Sequence, residues 1–452
     1  MAGRGEVVDV HAFINARAFS PYQWLILALC FLTVFIDGFD NAAMGYVAPA
    51  LVEDWGIKRA DLAPILSAAP FGLAIGALLA GPFADRLGRK TVLIASTILF
   101  GLGSLVSAHA ANVEQLLIMR LFTGLGIGAV MPAATTLMSE YVPERRRSLL
   151  VVTMFCGFTL GASGGGFAAA LLIQDYGWRS IFQLGGVAPL LLAGLLALFL
   201  PESARFLVVR ERGGSKIAAI LNRIMSGSVS TDQSFTVPEQ VVGKPKNPIA
   251  TILKGRLLIG TLMLWIAYFM GLVGILVLQS WMPTLMGAEG YDQKTGANVT
   301  ALFQLGGTGG ALLVGYCMDR FGAHRSITVA YVLGGLLIFG MAQTFHSVTL
   351  IAVTVLLAGF FSSGAQTSLS ALAANFYPTQ VRGTGVSWML GVGRWGAVLG
   401  AFIGGPMLKL GWDAQLIFST LLIPLALAAG AVAIKGSAYK AAKATHLADA
   451  AP

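Results

Sequence analysis

The chain has 452 residues, 56% of them hydrophobic and 11% charged, with a formal net charge of +9 and a mean hydropathy of +0.76. Soluble domains carry about 25% charged residues, so this composition excludes an ordinary soluble protein and points to a membrane-embedded one. Cys30, Cys156 and Cys317 lie far apart, in or beside apolar runs. They offer neither a metal-ligand spacing nor a disulfide framework.

The N-terminal stretch of roughly 20 residues is polar and lacks the features of a cleaved signal. About 20 apolar residues cross a bilayer as a helix. Twelve such runs are expected, at 22–48, 62–82, 91–109, 114–138, 149–173, 180–200, 257–285, 296–317, 327–346, 348–375, 384–409 and 414–435. The expected fold class is therefore an all-α membrane protein of twelve transmembrane helices in two pseudo-symmetric six-helix bundles. The N-terminal bundle covers 1–200 and the C-terminal bundle 257–435. A linker covers 201–256, with a short amphipathic helix expected near Ile217–Ile224, and a tail covers 436–452.

Lys and Arg placement predicts the orientation. With the N-terminus in the cytoplasm, cytoplasmic segments hold 23 of the 30 basic residues and the opposite loops five. Arg120 and Arg394 remain, inside the membrane. Both termini are thus expected to be cytoplasmic. The positive charge reads as topology, which argues against nucleic-acid binding.

The halves repeat. Gly81-Pro-Phe-Ala-Asp85-Arg86-Leu-Gly88-Arg89-Lys90 returns as Gly315-Tyr-Cys-Met-Asp319-Arg320-Phe-Gly322-Ala-His324, displaced by 234 residues. The same step maps Pro49 to Pro283 and Gly157 to Gly391, and one residue more maps Arg147 to Arg382. A parallel duplication of a six-helix unit explains this.

Asp37 and Asp40 sit three apart in the first run and share a helix face. Asp37 falls about 22 Å along a helix starting near Tyr22, at ~1.5 Å per residue. An acid at such depth costs ~2.5 kcal/mol or more. Two so close tend to hold a proton between them, as a proton-coupling site requires; a pair bonded to backbone at Gly38 is the plain alternative. Neither acid has a repeat counterpart, since the displacement leads to Gly271 and Gly274. Arg120, in the fourth run, lies at their depth, and an ion pair with them is expected, either proton-sensitive or static. Arg394 lies mid-membrane in Gly391-Val-Gly-Arg-Trp-Gly396 and suits a carboxylate, with a bidentate fork beside an aromatic face. Protons are thus expected on the N-terminal acids and the substrate anion on Arg394.

The loop G-x-x-x-D-R-x-G-R-K and its degenerate copy resemble the signature of the major facilitator superfamily. Asp37-Gly-Phe-Asp40 and Pro201-Glu-Ser-Ala-Arg-Phe-Leu207 are similar to the aromatic acid/proton symporter family. Ser139-Glu-Tyr-Val-Pro-Glu144, Tyr377-Pro-Thr-Gln380 and Gly385-Val-Ser-Trp-Met-Leu390 resemble its 4-hydroxybenzoate/protocatechuate type. The likeness weakens in the linker and tails.

The resemblance implies proton-coupled import of small aromatic carboxylates by alternating access. The implied setting is a monomer in the bacterial inner membrane that uses the proton gradient and no cofactor. Ring-binding candidates are Phe39, Phe155, Phe158, Tyr268, Trp388 and Trp395, with Gln279, Gln304, Ser363 and Gln366 as polar partners. Phe39, Tyr268, Gln304, Gln366 and Trp395 join Arg394 as the expected substrate site. Asp85, Arg86, Glu140, Asp319, Arg320 and Arg382 are expected to gate the cytoplasmic side. The second loop has Ala323-His324 in place of Arg89-Lys90 and is expected to latch more weakly.

Small-xxx-small faces on helices 2, 5, 8 and 11 are expected to meet across the halves and slide. Gly124-Leu-Gly-Ile-Gly128 lacks the strand a nucleotide loop needs, and His109 and His346 read as helix ends. Rival readings are a transporter of another organic acid, a drug/proton antiporter and a membrane sensor of aromatic acids. An enzyme is not expected, because no catalytic set is visible.

Overall fold

The computed structural model describes residues 7–210, 214–225, 229–230, 233–237, 247–344, 346–378 and 381–449; the side chains of Asp85, Ser148, Pro248, Arg256 and 438–449 lie outside the description. Twelve helices among the described residues are long and apolar enough to cross a membrane. They are α1 (Pro21–Trp55), α2 (Ala63–Leu87), α3 (Arg89–Ser107), α4 (Val113–Tyr141), α5 (Arg147–Tyr176) and α6 (Arg179–Phe199). After the intervening segment come α7 (Arg256–Ala288), α8 (Gln293–Phe321), α9 (Ala323–Ala342), α10 (Val348–Phe376), α11 (Arg382–Lys409) and α12 (Ala414–Ser437). The chain is a multi-pass membrane protein.

Caps carry the helices past the apolar runs that predict them. Ser20 opens α1 with a reciprocal capping box: Gln23 N–H donates to Ser20 Oγ at 3.3 Å, and Ser20 N–H to Gln23 Oε1 at 2.8 Å. α1 then runs to Trp55, seven residues beyond the apolar run, and stops at Gly56, whose φ of 61° suits a residue without Cβ. Asn112, Asp292, Ser347 and Asp413 likewise accept backbone N–H groups at the starts of α4, α8, α10 and the last helix. That last helix re-forms after Leu421 and continues to Asp449, through the stretch expected as a tail.

The packing scheme repeats. α1 packs on α5, α2 on α4, and α3 on α4 and α6; correspondingly α7 packs on α11, α8 on α10, and α9 on α10 and α12. Between the two sets, α5 meets α8, α2 meets α11, and α1 meets α7. The small faces behave differently from expectation. A Cβ on Gly38 would collide with the Phe158 carbonyl, and one on Gly161 with that of Phe35, so these glycines let α1 and α5 touch backbone to backbone. Gly72 and Gly76 meet Leu121 and Leu125 on α4, Gly306 and Gly310 meet α10, and Gly396 and Gly400 meet α7. Most of the small residues therefore fasten helices of one set together. Closest approach across the sets falls to other positions, such as Gly166 on Ala301 and Gly405 on Ala60.

At the end carrying most of the basic residues, the non-membrane segments build a cap. Val7–Asp9 pairs in parallel with Ser234–Thr236, in register Val7 to Ser234. Asp9 accepts N–H groups from His11 and Ala12 and starts the helix Val10–Asn15. The amphipathic helix Gly214–Ile224 buries Ile217, Ala218, Ile220, Leu221 and Ile224. Val10, Phe13 and Ile14 share that apolar cluster with α1 and α4.

Candidate functional site

The two acids of α1 have different surroundings. Asp40 is buried in a closed polar nest. Arg120 NH1 donates to Asp40 Oδ2 at 3.1 Å, and both side chains are 0% exposed. Ser104 Oγ donates to Asp40 Oδ1 at 2.6 Å. The rest of the guanidinium is satisfied by Ser104 at 3.2 Å, Ser107 at 3.2 and 3.3 Å, and Thr123 at 3.0 Å. The Phe182 ring lies 4.6 Å from the guanidinium carbon. Every donor has a partner, which is what makes a buried charge pair tolerable.

Asp37 is buried too, yet its Oδ1 has no hydrogen-bond partner. It lies within electrostatic range of Arg394 on α11, in the other set of helices, without an ion pair within 4.0 Å. Arg394 NH1 also donates to the Leu73 carbonyl of α2 at 3.2 Å. The expected pairing of Arg120 is thus realised with Asp40, while Asp37 faces Arg394. The physical reason is side-chain reach: a turn of three residues is enough to aim one carboxylate at α3 and α4 and the other at the seam between the sets. The expected separation of Arg394 from the acids is corrected accordingly.

Around Arg394 the C-terminal helices supply a polar wall. Tyr268 of α7 packs on Gly393, where a Cβ would strike its ring. Gln366 Nε2 donates to the Tyr268 carbonyl at 3.2 Å, and Tyr331 Oη donates to Gln366 Oε1 at 2.6 Å. Gln304 is buried on α8. Elsewhere in the helices, Ser163 Oγ, Gln279 Nε2 and Ser363 Oγ are buried without hydrogen-bond partners. Buried groups of this kind are rare.

Three of the ring-binding candidates already pack against other residues. Phe39 is buried against Gly165 and Gly185, among α1, α5 and α6, because α1 needs a large residue where those glycines leave room. Trp395 is half exposed and meets Phe71 edge-on at 5.6 Å across α2 and α11. Trp388 stacks on Trp265 at 5.9 Å. The residues missed from the sequence are Ser104, Ser107, Thr123 and Tyr331. The first three carried a signal: small polar residues in apolar runs, with Thr123 one turn from Arg120.

Among the gating candidates, Glu140 Oε1 pairs with Arg89 Nε at 3.6 Å, joining α3 and α4 within one set. The side chain of Asp85 lies outside the described part, and Arg86 is exposed. Arg320 donates to Tyr316 Oη at 3.3 Å, and Arg382 to the Tyr377 carbonyl at 3.4 Å. Asp319 is exposed. His324 contacts Lys435 of α12 at 3.1 Å, so the second loop is tied into its own set. Polar contacts between the sets lie in the middle and toward the opposite end: Thr159 to Thr308 at 2.6 Å, Gln293 to the Tyr46 carbonyl at 3.4 Å, and Lys409 to Asp61 at 3.4 Å.

A twelve-helix membrane fold with charged groups buried at the seam of two repeated sets is the architecture of a secondary transporter. The Major Facilitator Superfamily pattern matches residues 30–401 and again 295–446. The chain is 54% identical to the 4-hydroxybenzoate transporter PcaK of Pseudomonas aeruginosa, over 95% of this chain and 96% of that protein. It is 48% identical to the gallate transporter of Pseudomonas putida, over 95% and 96%. A solved structure of a D-xylose–proton symporter shares the fold at a TM-score of 0.70 and 17% identity, covering 92% of this chain and 97% of that one. The chain belongs to the Major Facilitator Superfamily.

Proposed function

We propose that the chain imports small aromatic carboxylates of the 4-hydroxybenzoate or protocatechuate type, coupled to protons, by alternating access. The relatives named for 4-hydroxybenzoate and gallate support the substrate class. The observation that carries the mechanism is Asp37, a buried carboxylate with an orphaned oxygen opposite Arg394 of the other set. A substrate carboxylate competes with Asp37 for that guanidinium. As it takes Arg394, Asp37 loses its counter-charge and picks up a proton, so anion and proton load together. Tyr268, Gln304 and Gln366 then orient the ring and its hydroxyl groups, while Asp40 and Arg120 hold α1, α3 and α4 in register. No resident cofactor enters this scheme; the driving force is the proton gradient.

In this reading the chain works as a monomer in the bacterial inner membrane with both termini cytoplasmic. Residues 1–200 and 257–435 are the rocking halves, 201–256 the cytoplasmic linker and 436–452 the tail. The inter-half contacts, gathered away from the basic end, fit a state closed outside and open inside. Asp85, Arg86, Glu140, Asp319, Arg320 and Arg382 engage when the cytoplasmic side closes. Uptake of labelled 4-hydroxybenzoate into proteoliposomes tests the proposal. Accumulation that follows an imposed proton gradient is expected, and uptake indifferent to the gradient removes the symport.

A further inference from the structure

A cavity of about 460 Å³ opens at the basic end, beside the N-terminal helices and remote from Arg394. Its walls come from the start of α1, the junction of α2 and α3, the end of α6 and the amphipathic helix Gly214–Ile224. Leu200 and Phe206 are buried in it, whereas Leu87 and Leu198 are 55% and 75% exposed. Those two leucines stand where spanning helices end, so the mouth lies at the edge of the apolar belt.

Three cations line the same cavity: Lys90, Lys216 and Arg223. Lys90 Nζ donates to the Ala197 carbonyl at 2.8 Å and keeps further donors. Arg223 lies 5.7 Å from the Tyr22 ring, and both Arg223 and Lys216 are exposed. One carboxylate opposes them. Glu202 Oε1 accepts the N–H groups of Arg89 at 2.9 Å, Lys90 at 3.1 Å and Ser203 at 2.8 Å, so its charge is committed to the first turn of α3. The cavity therefore keeps a positive balance.

We propose that this cavity binds the phosphodiester headgroup of an anionic membrane phospholipid. Lys90, Lys216 and Arg223 are its donors, and Leu87 and Leu198 seat the first methylenes of the acyl chains. Cations over an apolar sill match a molecule that is anionic at one end and hydrocarbon at the other. A soluble anion would use the cations and leave the exposed leucines without a role. The volume suits a glycerol-phosphate headgroup, within the ~300–1,000 Å³ usual for small-molecule sites. A lipid held there bridges the linker helix to α2, α3 and α6. The inference rests on this cavity and on its placement at a membrane boundary, and it is independent of the transported solute.

The test uses the full-length protein in detergent, with lipid binding followed by native mass spectrometry. Phosphatidylglycerol is expected to bind one per chain and at least about tenfold more tightly than phosphatidylcholine, given that each basic residue near an anionic surface contributes roughly fivefold. Lys216→Gln/Arg223→Gln is expected to erase that preference, and Lys216→Arg/Arg223→Lys to retain it. Equal binding of the two lipids by the unaltered protein overturns the proposal, as does full preference in the Gln/Gln variant. Displacement of phosphatidylglycerol by millimolar inorganic phosphate also overturns it, reassigning the cavity to a soluble anion. If the Gln/Gln variant fails to fold, the two-lipid comparison on the unaltered protein decides. Uptake of 4-hydroxybenzoate is read separately, so loss of the lipid site and loss of the transport reading give different results.

Discussion

Arg120 and Arg394 both lie within membrane-spanning helices, Arg120 fully buried and Arg394 half-buried, and they differ in how completely they are matched. Arg120 has a carboxylate, two serines, a threonine and an aromatic face around it, all from one set of helices. Arg394 has one carbonyl of α2 within hydrogen-bond distance and the field of Asp37, both across the seam. A fully matched charge resists rearrangement, because each lost bond leaves a buried polar group exposed to nothing. A partly matched charge at a seam is ready to exchange partners. In the proposed mechanism Arg394 is the arginine that changes partners, and the number and origin of the partners are what set it apart from Arg120.

Arg120→Leu gives the largest expected effect. It strands Asp40 as an uncompensated buried charge and should cost about 3–5 kcal/mol, read as loss of folded protein or of melting temperature in detergent. Arg120→Leu/Asp40→Leu should recover most of that loss. A stable single variant would place Arg120 among the mobile groups and erase the contrast.

Arg394→Lys should do the reverse. Substrate affinity in detergent falls by roughly 10- to 100-fold with the loss of a forked charge-assisted contact, while the melting temperature stays near that of the parent. Unchanged affinity would remove Arg394 from the substrate site.

Asp37→Asn sharpens the comparison at the level of coupling. Binding and exchange should persist, but accumulation in proteoliposomes should cease to follow the proton gradient. Retained gradient-driven accumulation would show that Asp37 carries no coupling proton.

The smallest effect is expected at the exposed pair Lys409 and Asp61, where side chains are 65% and 47% exposed. Lys409→Gln should shift stability by less than about 1 kcal/mol and only at low salt, measured by thermal melts at two ionic strengths.

The twelve spans and their duplication were legible because apolar length and a displaced motif survive any packing detail. The depth of Arg120 was legible too, from helix rise alone. The partner of each acid was not. Asp37 and Asp40 share a face by spacing, but which helix lies on either side of that face is a matter of tertiary arrangement. Phe39 shows the same limit: an aromatic beside an acid reads as ring-binding until Gly165 and Gly185 are seen to leave a hole for it. The strands Val7–Asp9 and Ser234–Thr236 are each three residues long, and nothing local predicts that they pair. The linker helix was visible because its apolar residues recur at helical spacing.

That strand pairing bears on the order of synthesis. Val7–Asp9 is made before α1, and its partner Ser234–Thr236 only after α6. The first strand must wait through six spanning helices before its hydrogen bonds form. When they do, the chain has joined the stretch before α1 to the segment just past α6, so the pairing can form only once the whole first set has been made. The pairing thus ties together the two flanks of the N-terminal set and includes no element of the C-terminal set, which suits a duplicated chain whose two copies could otherwise exchange parts.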